Sequence, residues 1–417
     1  SMSQHVVIVG GGVIGLCSAW YCTQRGDQVT VIDRAAPERD GCSFGNAGMI
    51  VPSHMVPLAA PGMVALGLKW MGNPESPFYV RPRLSWDLLS WGYQFWRACT
   101  PQHVRRAAPL LRDLNLASRE LYVELDDAWN HEFGLTRQGL LMLCRTQAAL
   151  DEEAHGAERA KTLGVPAEVL DRVGIATLDP QVSMDVMGGV WFPQDCHLSP
   201  QRFMAGLQQR LAAAGCEFLW NREVQGLPSS GIKLQGVDTD QGFVAADQVV
   251  LAGGSWSSGM AQALRLPLPM QPGKGYSLTL EGPRKLPNLC SIGVEGRIAI
   301  TPMGERLRVG GTMELSGLNE RVEPRRVQGI VKSFCQYFPE FTPSDFANIS
   351  PWRGLRPCTP DGLPYLGRTR RSENLVIATG HAMMGLSLGP ITGQLVSQLV
   401  ARETPSIDLT LLSPDRY

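Results

Sequence analysis

Val6-Val7-Ile8-Val9-Gly10-Gly11-Gly12-Val13-Ile14-Gly15 lies near the start of the chain, and Val29-Thr30-Val31-Ile32-Asp33 completes the same unit. A short apolar run reads as a buried parallel strand, and G-x-G-x-x-G follows it at once. The next segment, Val13 to about Gln24, is apolar through Leu16, Ala19 and Trp20 and is stopped by Gly26-Asp27. Gly10 permits the tight turn, Gly12 lets main chain approach a pyrophosphate, and Gly15 lets helix pack close on strand. Val13 and Ile14 begin the helix, whose N-terminus favours phosphate. Asp33, 18 residues beyond Gly15, can accept from ribose hydroxyls, with Arg34 beside it. The unit specifies an adenine dinucleotide. On its own it leaves FAD and NAD both open.

The 417 residues suit two or three domains' worth of mass, with 44% hydrophobic and 18% charged residues. Lys+Arg 38 against Asp+Glu 39 gives no electrostatic case for nucleic acid. Ten cysteines form no C-x-x-C pair, which fits a reducing compartment and argues against a zinc site or a disulfide framework. Ser1-Met2 reads as a tag remnant, and the apolar start lacks the basic segment of a signal peptide. Gly41 to Leu68 carries no charged side chain, yet Pro52, Pro57 and Pro61 break any spanning helix.

Residues 41–82 read as loops and short pieces, and 84–150 as helical, with Trp86, Trp91 and Trp96 among scattered arginines. Amphipathic helices covering a sheet are the expectation for that stretch, and a membrane-surface role is the sharper alternative. Residues 186–192 and 272–313 suit antiparallel strands. Gln248 to Gly254 and Asn374 to Gly380 repeat the form of a buried strand ending in glycine. Dinucleotide-type elements thus stand at the start, middle and end of the chain.

Five blocks choose the cofactor: Gly10–Gly15, Cys42–Gly48 (CSFGNAG), Gly273–Ser277 (GKGYS), Gly354–Gly362 (GLRPCTPDG) and Gly380-His381 through Gly393. Taken in order, they resemble the D-amino-acid oxidase/glycine oxidase superfamily of FAD amine oxidoreductases, nearest its bacterial D-amino-acid dehydrogenase branch, which includes enzymes for D-proline and hydroxy-D-proline. The resemblance implies an α/β fold: a Rossmann-like FAD-binding domain (1–80, 197–260 and 352–417) interleaved with a sheet-rich α+β substrate domain (81–196 and 261–351). It implies that Ser43, Asn46, Ala47 and Gly48 line FAD, that the Val224 backbone meets the adenine, and that Gly253, Gly254 and Trp256 close over the dinucleotide. Gly380, Met384, Gly385, Leu386 and Ser387 would open the last helix against the flavin, its amides supporting the charge that develops on reduction. His381 is either part of that contact or an ordinary N-terminal helix residue.

Arg356 is the foremost functional candidate, because a guanidinium holds an α-carboxylate with two parallel hydrogen bonds. A structural pairing with Asp361 or with a backbone carbonyl is its bland reading. Tyr276 by resemblance reaches the substrate, or is a half-buried sheet tyrosine. His54 follows the flavin-proximal loop and is a weaker pocket candidate. Met383 stands where glycine oxidase has a second arginine, and Gly354 stands where sarcosine oxidases carry the flavin-linked cysteine, so FAD is expected to be non-covalent. The expected reaction is oxidation of a D-amino acid to an imino acid by hydride transfer to flavin N5, with electrons passed to a quinone or other carrier. The rivals are an oxygen-using glycine or sarcosine oxidase or demethylase, and a non-catalytic flavoprotein. The expected location is cytoplasmic, with a possible peripheral contact on the inner face of the membrane.

Overall fold

A computed structural model describes residues 2–39 and 41–417, so Ser1 and Asp40 lie outside the described residues. His5–Val9, almost wholly buried, pairs in parallel with Gln28–Ile32 on one side and Gln248–Leu251 on the other. Apolar side chains on both faces suit a strand covered from both sides. The sheet runs Tyr365–Thr369, Ser372–Thr379, Gln248–Leu251, His5–Val9, Gln28–Ile32, Glu217–Leu219, parallel except for its first strand. Elements from the start, middle and end of the chain therefore meet in one Rossmann-like layer.

Helices Val13–Gln24 and Gly389–Val400 pack together on this sheet, flanked by Pro200–Ala213 and Pro101–Ala128. Their apolar stripes join one cluster through Leu16, Leu111, Tyr122, Phe203, Ile391 and Leu395. Thr100 and Ser199 cap two of these helices by accepting from the His103 and Arg202 amides.

Among the described residues the second sheet has nine strands. Its order is Trp352–Cys358, Gln271–Glu281, Arg306–Leu315, Ile298–Met303, Cys290–Gly293, Leu140–Cys144, Gly188–Phe192, Glu168–Asp171, with Phe78–Val80 added beside Met313–Leu315. Successive side chains alternate faces. One face, with Leu278, Ile300 and Val309, packs on Ile330 and Phe334 of helix Pro324–Tyr337. The other, with Thr301 and Arg308, meets segment 44–47: Thr301 Oγ1 donates to the Ala47 carbonyl and Arg308 Nη1 to those of Phe44 and Asn46.

Four elements differ from the linear reading. Residues 352–358, placed with the dinucleotide layer, hydrogen-bond along the second sheet instead, as does Phe78–Val80. Pro101–Ala128, placed with the substrate domain, builds the core beneath the parallel sheet. Leu140–Cys144, inside the stretch read as helical, is a strand. An apolar run this short carries no periodicity that separates strand from helix, and no run announces which sheet it joins.

Candidate active site

The opening turn has the strained geometry its glycines allow. Gly10 sits at φ 116°, and a Cβ on Gly15 would lie 1.8 Å from the Gly10 carbonyl oxygen. Gly15 thus serves helix-on-strand packing. The first helix has no side-chain cap from Gly12; Ser43 Oγ instead accepts from the Val13 amide at 2.9 Å. Asp33 accepts from the Gly11 and Ala35 amides, both at 2.7 Å, which leaves further carboxylate lone pairs for a ligand. The Arg34 guanidinium stacks 3.6 Å over the Trp256 ring.

These groups share one cavity of about 880 Å³, whose wall also includes Gly10, Gly12, Ile14, Val224, Gly253, Gly254, Gly380 and Gly385. Helix amides, bare glycine backbone and an acid within one elongated cleft are the donor set an adenine dinucleotide requires. The fit is good. The sequence-predicted residues 46–48 serve it from behind: Asn46 Oδ1 accepts from the Gly48 amide, and Ala47 and Asn46 offer their carbonyls to the second sheet. Leu386 and Ser387 are buried behind the wall, and Met384 packs on the same core. Ser387 Oγ accepts from the Val51 amide and donates to Asn115, tying three distant segments together.

Arg356 is not itself among the wall residues of this cavity. Its neighbours Leu355 and Pro357 form part of the wall, and its charge partly offsets the burial that raises the thiol pKa of Cys42, another wall residue. The guanidinium lies across Gly275, where an added Cβ would be 2.4 Å from Cζ, and Nη1 donates to the Thr312 carbonyl at 3.1 Å. Asp361 pairs instead with Arg416 at 2.8 Å, so among the described residues Arg356 has no carboxylate partner. Apolar side chains of Ala59, Trp91, Met313 and Cys358 cluster along the same strand.

Tyr276 does not join this site. It pairs across strands with Arg353, an odd number of positions from Arg356 and so on the opposite face, and its side chain is fully buried in the core against helix Pro324–Tyr337. Its hydroxyl donates to Glu314 at 3.2 Å and accepts from the Glu323 amide, beside the Lys274–Glu314 ion pair. The expectation that Tyr276 reaches a substrate is corrected by this face assignment. His54 also stands off the cavity wall. Its Nδ1 is 3.1 Å from Ser53 Oγ, which donates to Asp195. Burial lowers His54 to about 4 and raises Asp195 to about 7. His381, buried and lowered to about 3, lines the cavity while its Nε2 meets Thr392 Oγ1.

Two arginines escaped the sequence reading. Arg39 directs Nε to the Gly11 carbonyl at 3.0 Å and lies over the Phe44 and Trp220 rings, forming part of the wall. Arg308 is 4% exposed and pins segment 44–46. No motif marks either residue; their roles arise from tertiary contacts.

Residues 5–399 match the model of the DAO family, described as FAD dependent oxidoreductase. The chain belongs to this family. Its cofactor is FAD. Within the family it is 34% identical over 425 residues to a D-amino acid dehydrogenase of Bradyrhizobium diazoefficiens, covering 99% of both chains. It is 36% identical over 421 residues to a D-amino acid dehydrogenase of Allorhizobium ampelinum, again covering 99% of each. Among solved structures, glycine oxidase from Geobacillus kaustophilus superposes with a TM-score of 0.79 at 25% identity, covering 100% of both chains. L-proline dehydrogenase from P. horikoshii has the same fold, with a TM-score of 0.75 at 18% identity, covering 99% of this chain and 97% of that one.

Proposed function

We propose that this FAD-dependent oxidoreductase is a D-amino-acid dehydrogenase, with its non-covalent FAD in the 880 Å³ cavity and its substrate carboxylate on Arg356. The observation that carries the reading is the Arg356 guanidinium, free of any carboxylate among the described residues, on the strand whose Leu355 and Pro357 line the dinucleotide cavity. Full-length relatives named D-amino acid dehydrogenase support the substrate class. When bound, FAD supplies a two-electron acceptor for the hydride leaving the substrate α-carbon.

The chain's own work is positioning. Arg356 has its planar fork held flat by Gly275 and the Thr312 carbonyl, so a carboxylate meets a fixed partner. The apolar cluster around Trp91, Met313 and Cys358 favours a substrate with an aliphatic or cyclic side chain and excludes water from it. D-proline and hydroxy-D-proline are therefore the first substrates to test. The product is an imino acid, which hydrolyses to a 2-oxo acid when the amine is primary. Electrons leave to a quinone or other carrier, at a peripheral contact with the membrane.

Anaerobic addition of D- and L-amino acids, glycine and sarcosine to the yellow holoenzyme tests this. Bleaching by D-amino acids alone supports the reading, and bleaching by sarcosine or glycine alone overturns it. The likeness to glycine oxidase favours a second reading, an oxidase. Rapid peroxide formation in air would select it.

A further inference from the structure

Helix Trp86–Ala98 carries aromatic and aliphatic side chains on two faces. The inner face buries Trp91 and Phe95, and Trp91 Nε1 donates to the Cys358 carbonyl at 2.9 Å, on the strand that bears Arg356. The outer face presents Trp86, Leu89, Tyr93 and Trp96, each between 58% and 83% exposed. At 3.6 residues per turn these four fall within an arc of about 80°. Leu84, just before the helix, and Leu68, on helix Met63–Trp70, are also exposed. Scattered exposed apolar residues are ordinary; a row of them on one helix calls for a partner.

The charges of this segment say which partner. Residues 61–106 hold six lysines and arginines against two acids, in a chain whose totals are 38 against 39. Lys69, Arg81, Arg97 and Arg105 are exposed, and the Arg97 guanidinium lies 5.9 Å from the Tyr93 ring centroid. Glu75 is committed to Lys332, which leaves Asp87 as the exposed acid. Tryptophan and tyrosine on one helix face, with Arg97 beside Tyr93 and a basic excess in the surrounding sequence, match the boundary of an anionic bilayer. No helix among the described residues is long and apolar enough to cross a membrane. This one suits lying in the interface plane.

We infer that the outer face of Trp86–Ala98, with Leu84 just before it, docks the enzyme on an anionic phospholipid surface. The inference deepens the proposed function and rests on it for its purpose: a lipid-dissolved acceptor would meet the enzyme through the helix whose inner face packs beside the Arg356 strand.

The test is flotation of FAD-loaded protein with vesicles of phosphatidylcholine alone or mixed equally with phosphatidylglycerol. Wild type is expected to float with the anionic vesicles, and high salt to weaken this. The Trp86→Ser/Leu89→Ser/Trp96→Ser variant should lose about tenfold in bound fraction. A Val173→Ser/Phe243→Ser control, exposed apolar residues elsewhere, should bind as wild type. Retained flavin absorbance shows that each variant is folded. Failure of wild type to float, or flotation of the triple variant equal to wild type, overturns the inference. A dimer in sedimentation that the triple variant dissolves, without vesicle binding, also overturns it and assigns the face to self-association. Anaerobic bleaching is read without vesicles. If D-amino acids fail to bleach while flotation still depends on the stripe, the proposed function falls and the docking face stands.

Discussion

The Arg356 guanidinium rests on the bare backbone of Gly275, with its Cζ 2.4 Å from where a Cβ would stand. A methyl group there must push the fork off its position while leaving its charge intact. Gly275→Ala is therefore expected to raise KM for the D-amino acid by about tenfold, with FAD still bound. Arg356→Ala, which removes the charged hydrogen bonds altogether, should cost about 3 kcal/mol, or roughly a hundredfold in kcat/KM. Steady-state kinetics with an artificial electron acceptor measures both. An unchanged KM in both variants would remove this pair from the substrate site.

Ser43 caps a helix 30 positions away in sequence, accepting from the Val13 amide at the end that faces the dinucleotide cavity. Ser43→Ala should lower stability by about 1 kcal/mol, the usual cost of a lost N-cap. The same change alters the anion-binding end of the cavity, so FAD affinity should fall as well. Denaturant unfolding of the apoprotein isolates the first effect, and FAD titration followed by flavin absorbance reads the second. Equal FAD affinity would confine Ser43 to capping.

The dinucleotide unit was legible because local rules govern it: the glycine turn, the helix Val13–Gln24 and the acid after the second strand all follow from short-range sequence. Arg356 stands out as a candidate through chemistry, since a guanidinium can hold a carboxylate with two parallel hydrogen bonds. Tyr276 was misplaced because its face depends on register. Pairing Gly273 with Arg356 and Tyr276 with Arg353 sends the two candidates to opposite sides of one sheet, and register between strands some 80 residues apart is not written in either strand. Ser387 shows the same limit. It reads as part of a helix start, yet its hydroxyl joins Val51 to Asn115, a contact only the assembled core creates.

Arg308 holds the cofactor-side loop from the second sheet. Its Nη1 serves the Phe44 and Asn46 carbonyls at 2.9 Å, and its Nε serves Thr279. Burial lowers its pKa to about 10, yet it stays charged at neutral pH. Arg308→Met keeps the stem and leaves two carbonyls unpaired, at about 1–3 kcal/mol each if they stay buried. FAD affinity and thermal stability should fall together, and Arg308→Lys should restore only part, because an ammonium lacks the fork. Calorimetry with and without added FAD checks this; a variant with wild-type affinity and stability would show that the loop holds without the arginine.

Three histidines enclosed as neutral rings set the acid limit of the fold. Burial lowers His54 and His197 to about 4 and His381 to about 3, against 6.5 for the free side chain. A lowered histidine leaves the unfolded chain binding more protons, so its stabilisation is intact above pH 6.5 and is lost as pH falls toward 4 and then 3. Asp195 acts oppositely: raised from 3.8 to about 7, it favours the fold at low pH and loses that contribution as pH rises toward 7. Each group contributes a slope of at most about 1.4 kcal/mol per pH unit. The three histidines outweigh Asp195 over this range, so stability falls on acidification below 6.5. Urea unfolding at pH of about 7 and about 5 should show this loss, and His381→Asn should make it shallower by about one histidine's share. Asp195→Asn should make it steeper, since the opposing acid is gone. Equal stability at the two pH values in wild type would mean that these rings take up protons inside the folded protein as readily as in water.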